Sequence, residues 1–83
     1  MERFQRAYSV KQKYHEQLLA IFGVNKVGVE LIKRSAKTFR WELRIYVQNA
    51  TTKSEVINFL IEQNGHSKSL DHIPVGIIIR PKK

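Results

Sequence analysis

The sequence predicts an α+β, two-layer sandwich in the order helix-strand-strand-helix-strand: a three-stranded mixed sheet with two helices on one face, formed by a single domain over residues 1–83. Three observations predict it. From Thr38 to Gln48 the chain alternates, with Phe39, Trp41, Leu43, Ile45 and Val47 at odd positions and Arg40, Glu42, Arg44, Tyr46 and Gln48 at even ones. A period of two puts successive side chains on opposite faces of a strand, one toward a core and one toward solvent. Two other segments repeat apolar residues at helical spacing, each opened by a capping-box pattern and closed by a glycine. Finally, a helical segment separates the second and third strands, and a right-handed crossover of that kind makes the strands it joins parallel.

Helix one is expected from Ser9, where Ser9-Val10-Lys11-Gln12 fits a capping box. Val10, Tyr14, Leu18, Ile21 and Phe22 form its apolar stripe, with Lys11 and His15 at the stripe's edge, and Gly23 is placed to end it. Phe4, Ala7 and Tyr8 extend the stripe backwards and leave an earlier start open. Val24-Asn25 turns into strand one, Lys26 to Arg34, with Val27, Val29 and Leu31 on one face and Gly28, Glu30 and Ile32 on the other. Strand two is the alternating stretch, and the short polar connection makes the pair an antiparallel hairpin. Like charges directly opposite one another are unfavourable, so Glu30 is not expected to face Glu42. The preferred register sets Glu30 opposite Arg44 and Gly28 opposite Tyr46, with a tight loop at Ala36, Lys37 and Thr38.

Thr52-Lys53-Ser54-Glu55 is the second capping box, followed by an apolar face of Val56, Ile57, Phe59, Leu60 and Ile61 and a stop at Gly65. His66 to His72 reads as a polar loop, with Asp71 as a turn residue. Strand three is Ile73 to Arg80; Pro74, which lacks a donor, belongs at a strand start or sheet edge, and Pro81 ends the strand before the Lys82-Lys83 tail. With both helices on the odd-numbered face, Trp41 and Phe39 are expected to fill the core between them, in the manner of a ferredoxin-like fold without its first strand.

Fifteen Lys and Arg against seven Asp and Glu give a formal charge of +8, of which residues 26 to 44 carry +4. A field of this sign favours anionic partners, and it also serves solubility on a small domain. The chain has no cysteine, which excludes disulfides, cysteine-based zinc sites, iron–sulfur clusters and thiol catalysis. MERFQRAYSVKQ lacks the apolar core of a signal peptide, and no apolar run reaches the ~18 residues of a membrane span. The expectation is therefore a cytoplasmic chain with no membrane partner; the sequon Asn49-Ala50-Thr51 carries no weight without a secretory signal.

Two helices on one face leave the even-numbered face open, with Ile32, Arg34, Arg40, Arg44, Tyr46, Ile78 and Arg80 around Gly28 and Gly76. Aromatic and Arg side chains on an open sheet stack on unpaired bases while cations neutralise phosphates. The candidate nucleic-acid-binding residues are Lys33, Arg34, Lys37, Arg40, Arg44, Tyr46, Arg80, Lys82 and Lys83. Only Tyr46 is aromatic on that face, and no K-G-F-G-F-V-type motif is present. The expectation is a non-enzymatic basic domain that contacts RNA or DNA through the hairpin, the open face and the C-terminal tail. The alternative is a protein-interaction or self-associating domain that buries the Ile32 and Ile78 side of the sheet. Lys and Arg at a hairpin tip equally deter edge-to-edge pairing of strands.

Enzymatic chemistry is not expected. His66, Ser67, Ser69, Asp71 and His72 share one short loop, whereas a triad requires convergent geometry. His15, His66 and His72 have no metal-ligand spacing, and the scattered Gly23, Gly28, Gly65 and Gly76 form no phosphate-cradling loop, so neither metal nor cofactor is expected. Leu18 to Val29, LLAIFGVNKVGV, taken with Ile73-Pro74-Val75-Gly76-Ile77, resembles a small α/β domain found in some bacterial proteins, sometimes preceding a trypsin-like protease domain. In that domain a helix ends in a Gly-Val turn and leads into a Val-Gly-Val strand. The pattern is also similar to heavy-metal-associated domains, but their paired cysteines are missing, so no copper role carries over. The resemblance implies a fold and no catalytic residue.

Overall fold

The computed structural model describes residues 3–81. The elements run α1 (Arg3–Leu19), β1 (Val24–Lys33), β2 (Phe39–Val47), α2 (Ala50–Asn64), β3 (Ser69–Leu70) and β4 (Ile73–Ile79). The class is α+β with two helices, but the mixed sheet has four strands in the order β1-β2-β4-β3 rather than three. β1 and β2 are antiparallel, β2 and β4 are parallel across the α2 crossover, and β3 and β4 are antiparallel. The added strand arises because the expected loop folds back through Asp71-His72, with φ of 51° and 70°. Two left-handed residues in a two-residue connection match the twist of a hairpin, and Asp and His are among the non-glycine residues that tolerate them.

α1 starts at Arg3 and not at Ser9, which is an exposed residue within the helix. Burial overrides the capping box: Ala7, Val10, Tyr14 and Leu18 line one buried stripe, and the Phe4 ring meets Trp41 edge-on at 4.8 Å. The chain then reverses in two tight turns, Ile21 N–H to Leu18 O and Val24 N–H to Ile21 O, around Gly23 at φ 95°. A Cβ at Gly23 would collide with the Thr52 hydroxyl, so glycine is required both by the conformation and by the close approach to α2.

α2 is capped by Asn49, three residues before the expected Thr52. The Asn49 Oδ1 accepts the Thr52 N–H at 2.9 Å, and the buried Thr52 turns its hydroxyl to the Phe22 carbonyl at 3.2 Å. At the other end Gly65 closes the helix at φ 78°, its N–H reaching Ile61 O at 2.7 Å.

The odd-numbered face is the core face. Val27, Leu43, Ile45 and Val47 pack with Leu18, Val56, Leu60, Leu70 and Ile73. Full burial stops at Leu43: Trp41 is half-buried, while Phe39 and its neighbour Leu31 are each 51% exposed. Phe39 therefore does not fill the core, and Trp41 only borders it, because the hairpin projects beyond the cover of the helices.

The β1–β2 register also departs from the expected one. Glu30 lies opposite Glu42, Gly28 opposite Arg44 and Lys26 opposite Tyr46, with a bulge between Val24 and Lys26. The loop is correspondingly longer, Arg34 to Thr38, closed by Arg34 N–H to Thr38 O at 2.8 Å and by the Ser35 and Thr38 hydroxyls at 2.6 Å.

Candidate functional site

Among the described residues, those singled out in the sequence gather at the middle of the sheet's open face and at the hairpin end where β2 starts, and the two regions differ in what their residues touch. On the middle of the open face, Glu42 is only 5% exposed. Its Oε2 accepts from Arg40 Nη2 at 2.9 Å and Nε at 3.1 Å, and its Oε1 lies 2.9 Å from Arg44 Nε. The Arg44 N–H is not aligned with that oxygen, so this contact is a charge–charge one rather than a directed hydrogen bond. Same-strand neighbours two residues away share a face, so both arginines reach Glu42 from its own strand. Gly76, paired with Arg44, makes the room: a Cβ there would sit 2.5 Å from Glu42 Oε1 and 3.2 Å from Arg44 Nε.

Glu30 is satisfied separately, by the Tyr46 hydroxyl that donates to its Oε2. That bond to a carboxylate, with burial in second place, holds the Tyr46 phenol above its usual pKa of 10.0. The ring is 8% exposed and lies 5.8 Å from Lys26 Nζ and 4.8 Å from the Arg80 guanidinium carbon. Each glutamate thus has partners of its own, which removes the objection to their facing one another. Tyr46 is enclosed rather than presented, and Arg44 pairs with Glu42 and not with Glu30. Both are corrections to the expected open-face platform.

At the start of β2 the arrangement is the opposite. Lys33, Arg34 and Lys37 are exposed and make no ion pair among the described residues. Phe39 and Leu31 are half exposed beside them, and Phe4 and Tyr8 stack at 5.8 Å on the adjoining turn of α1, 41% and 42% exposed. Next to Trp41, where β4 begins, is a cleft of about 220 Å³ lined by Arg6, Arg40, Trp41, His72, Ile73 and Pro74. A second cleft of about 270 Å³, between α2 and β4, is lined by Lys53, Ile57, Ser67, Lys68, Val75 and Ile77 and has no aromatic wall.

Of the candidate residues, Lys33, Arg34, Lys37 and Arg40 share the hairpin end, Arg44 and Tyr46 lie on the open face of β2 with the exposed Arg80 just past β4 over the Tyr46 ring, and Lys82 and Lys83 lie outside the described residues. Arg6, Trp41 and Phe39 join the first group without having been singled out for function, and His72, weighed only for a triad or a metal, joins it as well. Arg6 borders the α1 stripe, and His72 looks like any loop residue until the β3–β4 turn brings it to the cleft.

Asp71 is more than a turn residue. It takes Lys13 Nζ at 3.3 Å and the Tyr14 hydroxyl at 3.3 Å, and its N–H donates to Asn64 Oδ1 at 3.2 Å, so it ties the turn to both helices. The Tyr14 and Asp71 contacts raise the pKa of Lys13. No group of three metal-ligating side chains occurs among the described residues, and no helix among them is long and apolar enough to cross a membrane. Comparison with known proteins returned no matching family model, no matching curated protein and no matching solved structure.

Proposed function

We propose that this chain is a non-enzymatic domain that binds nucleic acid through its hairpin end. The observation that carries the reading is the meeting of cations and aromatic rings at one end of the sheet: Lys33 pairs with the half-exposed Phe39 beside the exposed Arg34 and Lys37 of the loop, and Arg6 and Arg40 line a cleft with Trp41. Phosphates draw cations and release counterions, while base faces stack on aromatic side chains without needing a sequence code. Arg44, Tyr46 and Arg80 then act as the frame that holds the strand, not as contacts.

The test is a titration of mixed-sequence RNA and DNA across salt. Binding is expected to be strongest at ~50 mM salt and to weaken steeply above it. Lys37→Ala is expected to lower the slope of log affinity against log salt by about 0.7–0.9, one phosphate contact. Absence of association with either polymer at ~50 mM salt overturns the reading, since counterion release favours binding most there.

One observation favours a second reading. Phe4, Tyr8, Leu31 and Phe39 are a run of exposed large apolar groups, whereas Ile32 and Ile78, the side first considered for a protein partner, are partly covered. A second copy of the chain would bury that run. A clean monomer at high concentration in sedimentation removes self-association.

A further inference from the structure

We infer that the cleft beside Trp41 takes one unpaired base together with its phosphate, so that the domain selects single-stranded over double-stranded nucleic acid. The inference rests on the nucleic-acid reading above and deepens it.

The size of the cleft sets the occupant. At about 220 Å³ it lies below the roughly 300–1,000 Å³ of pockets that enclose a drug-sized ligand, which leaves room for one ring system and not for a paired step. Its chemistry is divided in the same way as a nucleotide. Trp41, Ile73 and Pro74 supply apolar wall, and an indole is a side chain on which a base stacks. Arg6, Arg40 and His72 supply the polar side, and none of the lining residues is acidic. Arg6 and Arg40 are the cations a phosphate meets there; the Glu42 carboxylate that holds Arg40 is not among the lining residues.

Arg40 is held in place before any ligand arrives, and the backbone that carries His72 is braced. Arg40 is anchored to Glu42 Oε2 through Nε and Nη2, which fixes the guanidinium plane and leaves Nη1 without a partner among the described residues. His72 sits in the two-residue β3–β4 turn, whose other residue, Asp71, is tied to Lys13, Tyr14 and Asn64. Preorganised groups lose less freedom on binding than mobile ones. Bases in a duplex are stacked and paired, so entry would require one to be extruded, whereas a single strand offers its bases without that cost.

Trp41 is the sole tryptophan, so its emission reports the cleft directly. The experiment titrates the full chain with a short mixed-sequence single strand, in DNA and RNA versions, and with the corresponding duplex, following both Trp41 emission and affinity. The expected result is quenching by the single strand and an affinity about ten-fold or more above that of the duplex, the size of one lost stacking contact. Arg6→Ala, an exposed helix-surface change, is expected to weaken the single strand about five-fold or more and the duplex by less, through its phosphate attraction alone. Lys37→Ala should weaken both alike. If the single strand binds while Trp41 emission is unmoved and the duplex binds equally well, the cleft assignment is overturned and the hairpin-end reading stands. If neither polymer binds, both fall together.

Discussion

Tyr46 and Trp41 lie on the same strand, and sequence alternation assigns them opposite roles from the ones they hold. Tyr46, on the solvent face, is enclosed by Glu30, Lys26 and Arg80; Trp41, on the core face, opens onto a cleft. Alternation decides which side of the sheet a residue points to, but exposure is decided along the strand as well. Near the middle of β2 even the open face is roofed by long side chains bonded to one another. At its start the odd face has outrun the helices. A buried, mutually neutralised network is suited to holding a strand, and exposed rings beside unpaired cations are suited to holding a ligand.

The sharpest way to break that contrast is Glu42→Ala. Removing one member of a buried charge group leaves its partners uncompensated, at a cost of roughly 3–5 kcal/mol. Arg40 is 38% exposed and can turn to water, so about 3 kcal/mol is expected. For a domain of this size that lowers Tm by about 4–8 °C per kcal/mol. Thermal and urea unfolding measure it. A loss below about 1 kcal/mol, the range of exposed ion pairs, would mean that Glu42 is merely a surface residue and that the middle of the sheet is not the frame.

Phe39→Ala probes the other end. A half-exposed Phe contributes little to folding, so stability is expected to fall by only about 1 kcal/mol. Nucleic-acid affinity is expected to fall by roughly 1–3 kcal/mol, the worth of one stacked base. A large stability loss with unchanged affinity would restore Phe39 to the core and remove it from the site.

How far these roles could be read from the residues follows from how many groups each one involves. Strand faces depend on one residue and its parity, and Val27, Leu43, Ile45 and Val47 are core as alternation predicts. The Gly65 stop depends on one residue and a conformation, and it holds. Register is different. Pairwise charge logic rejects Glu30 opposite Glu42, yet that register stands because Arg40 and Arg44 reach Glu42 along its own strand, Gly76 on a third strand leaves space, and Tyr46 takes Glu30. An arrangement of that many bodies leaves no spacing pattern. The start of α1 fails for a related reason: Ser9 offers a local cap, whereas Ala7 gains tertiary burial and Phe4 a contact with Trp41 that no local signal reports. β3 is two residues long, too short to alternate, and its turn uses Asp71 and His72 where glycine or asparagine would have announced a hairpin. The cleft inherits this obscurity, since its polar side is assembled from α1, β2 and that same turn.

The smallest expected effect, and the most discriminating one, comes from Tyr46→Phe. At neutral pH it removes one hydrogen bond and leaves Glu30, which is half-buried, free to turn to water, so about 1 kcal/mol of stability is lost. Its pH dependence is more specific. The folded protein holds the Tyr46 proton more tightly than the unfolded chain, chiefly through Glu30 and then through burial, with Arg80 and Arg44 opposing. A group with a raised folded pKa contributes stability that is fully present below its unfolded value and lost as pH rises through the folded one. For Tyr46 that loss therefore begins above pH 10.0, the unperturbed value. Lys13, raised by Tyr14 and Asp71, acts in the same direction, but it is solvent-exposed and Tyr46→Phe leaves it untouched. Urea midpoints taken through the alkaline range are expected to fall less steeply in Tyr46→Phe than in the parent chain, while nucleic-acid affinity at neutral pH stays the same. An unchanged alkaline slope would mean that Glu30 does not hold this proton. A drop in affinity would mean that Tyr46 touches the ligand after all, and that the division between a frame in the middle of β2 and a site at its start is drawn in the wrong place.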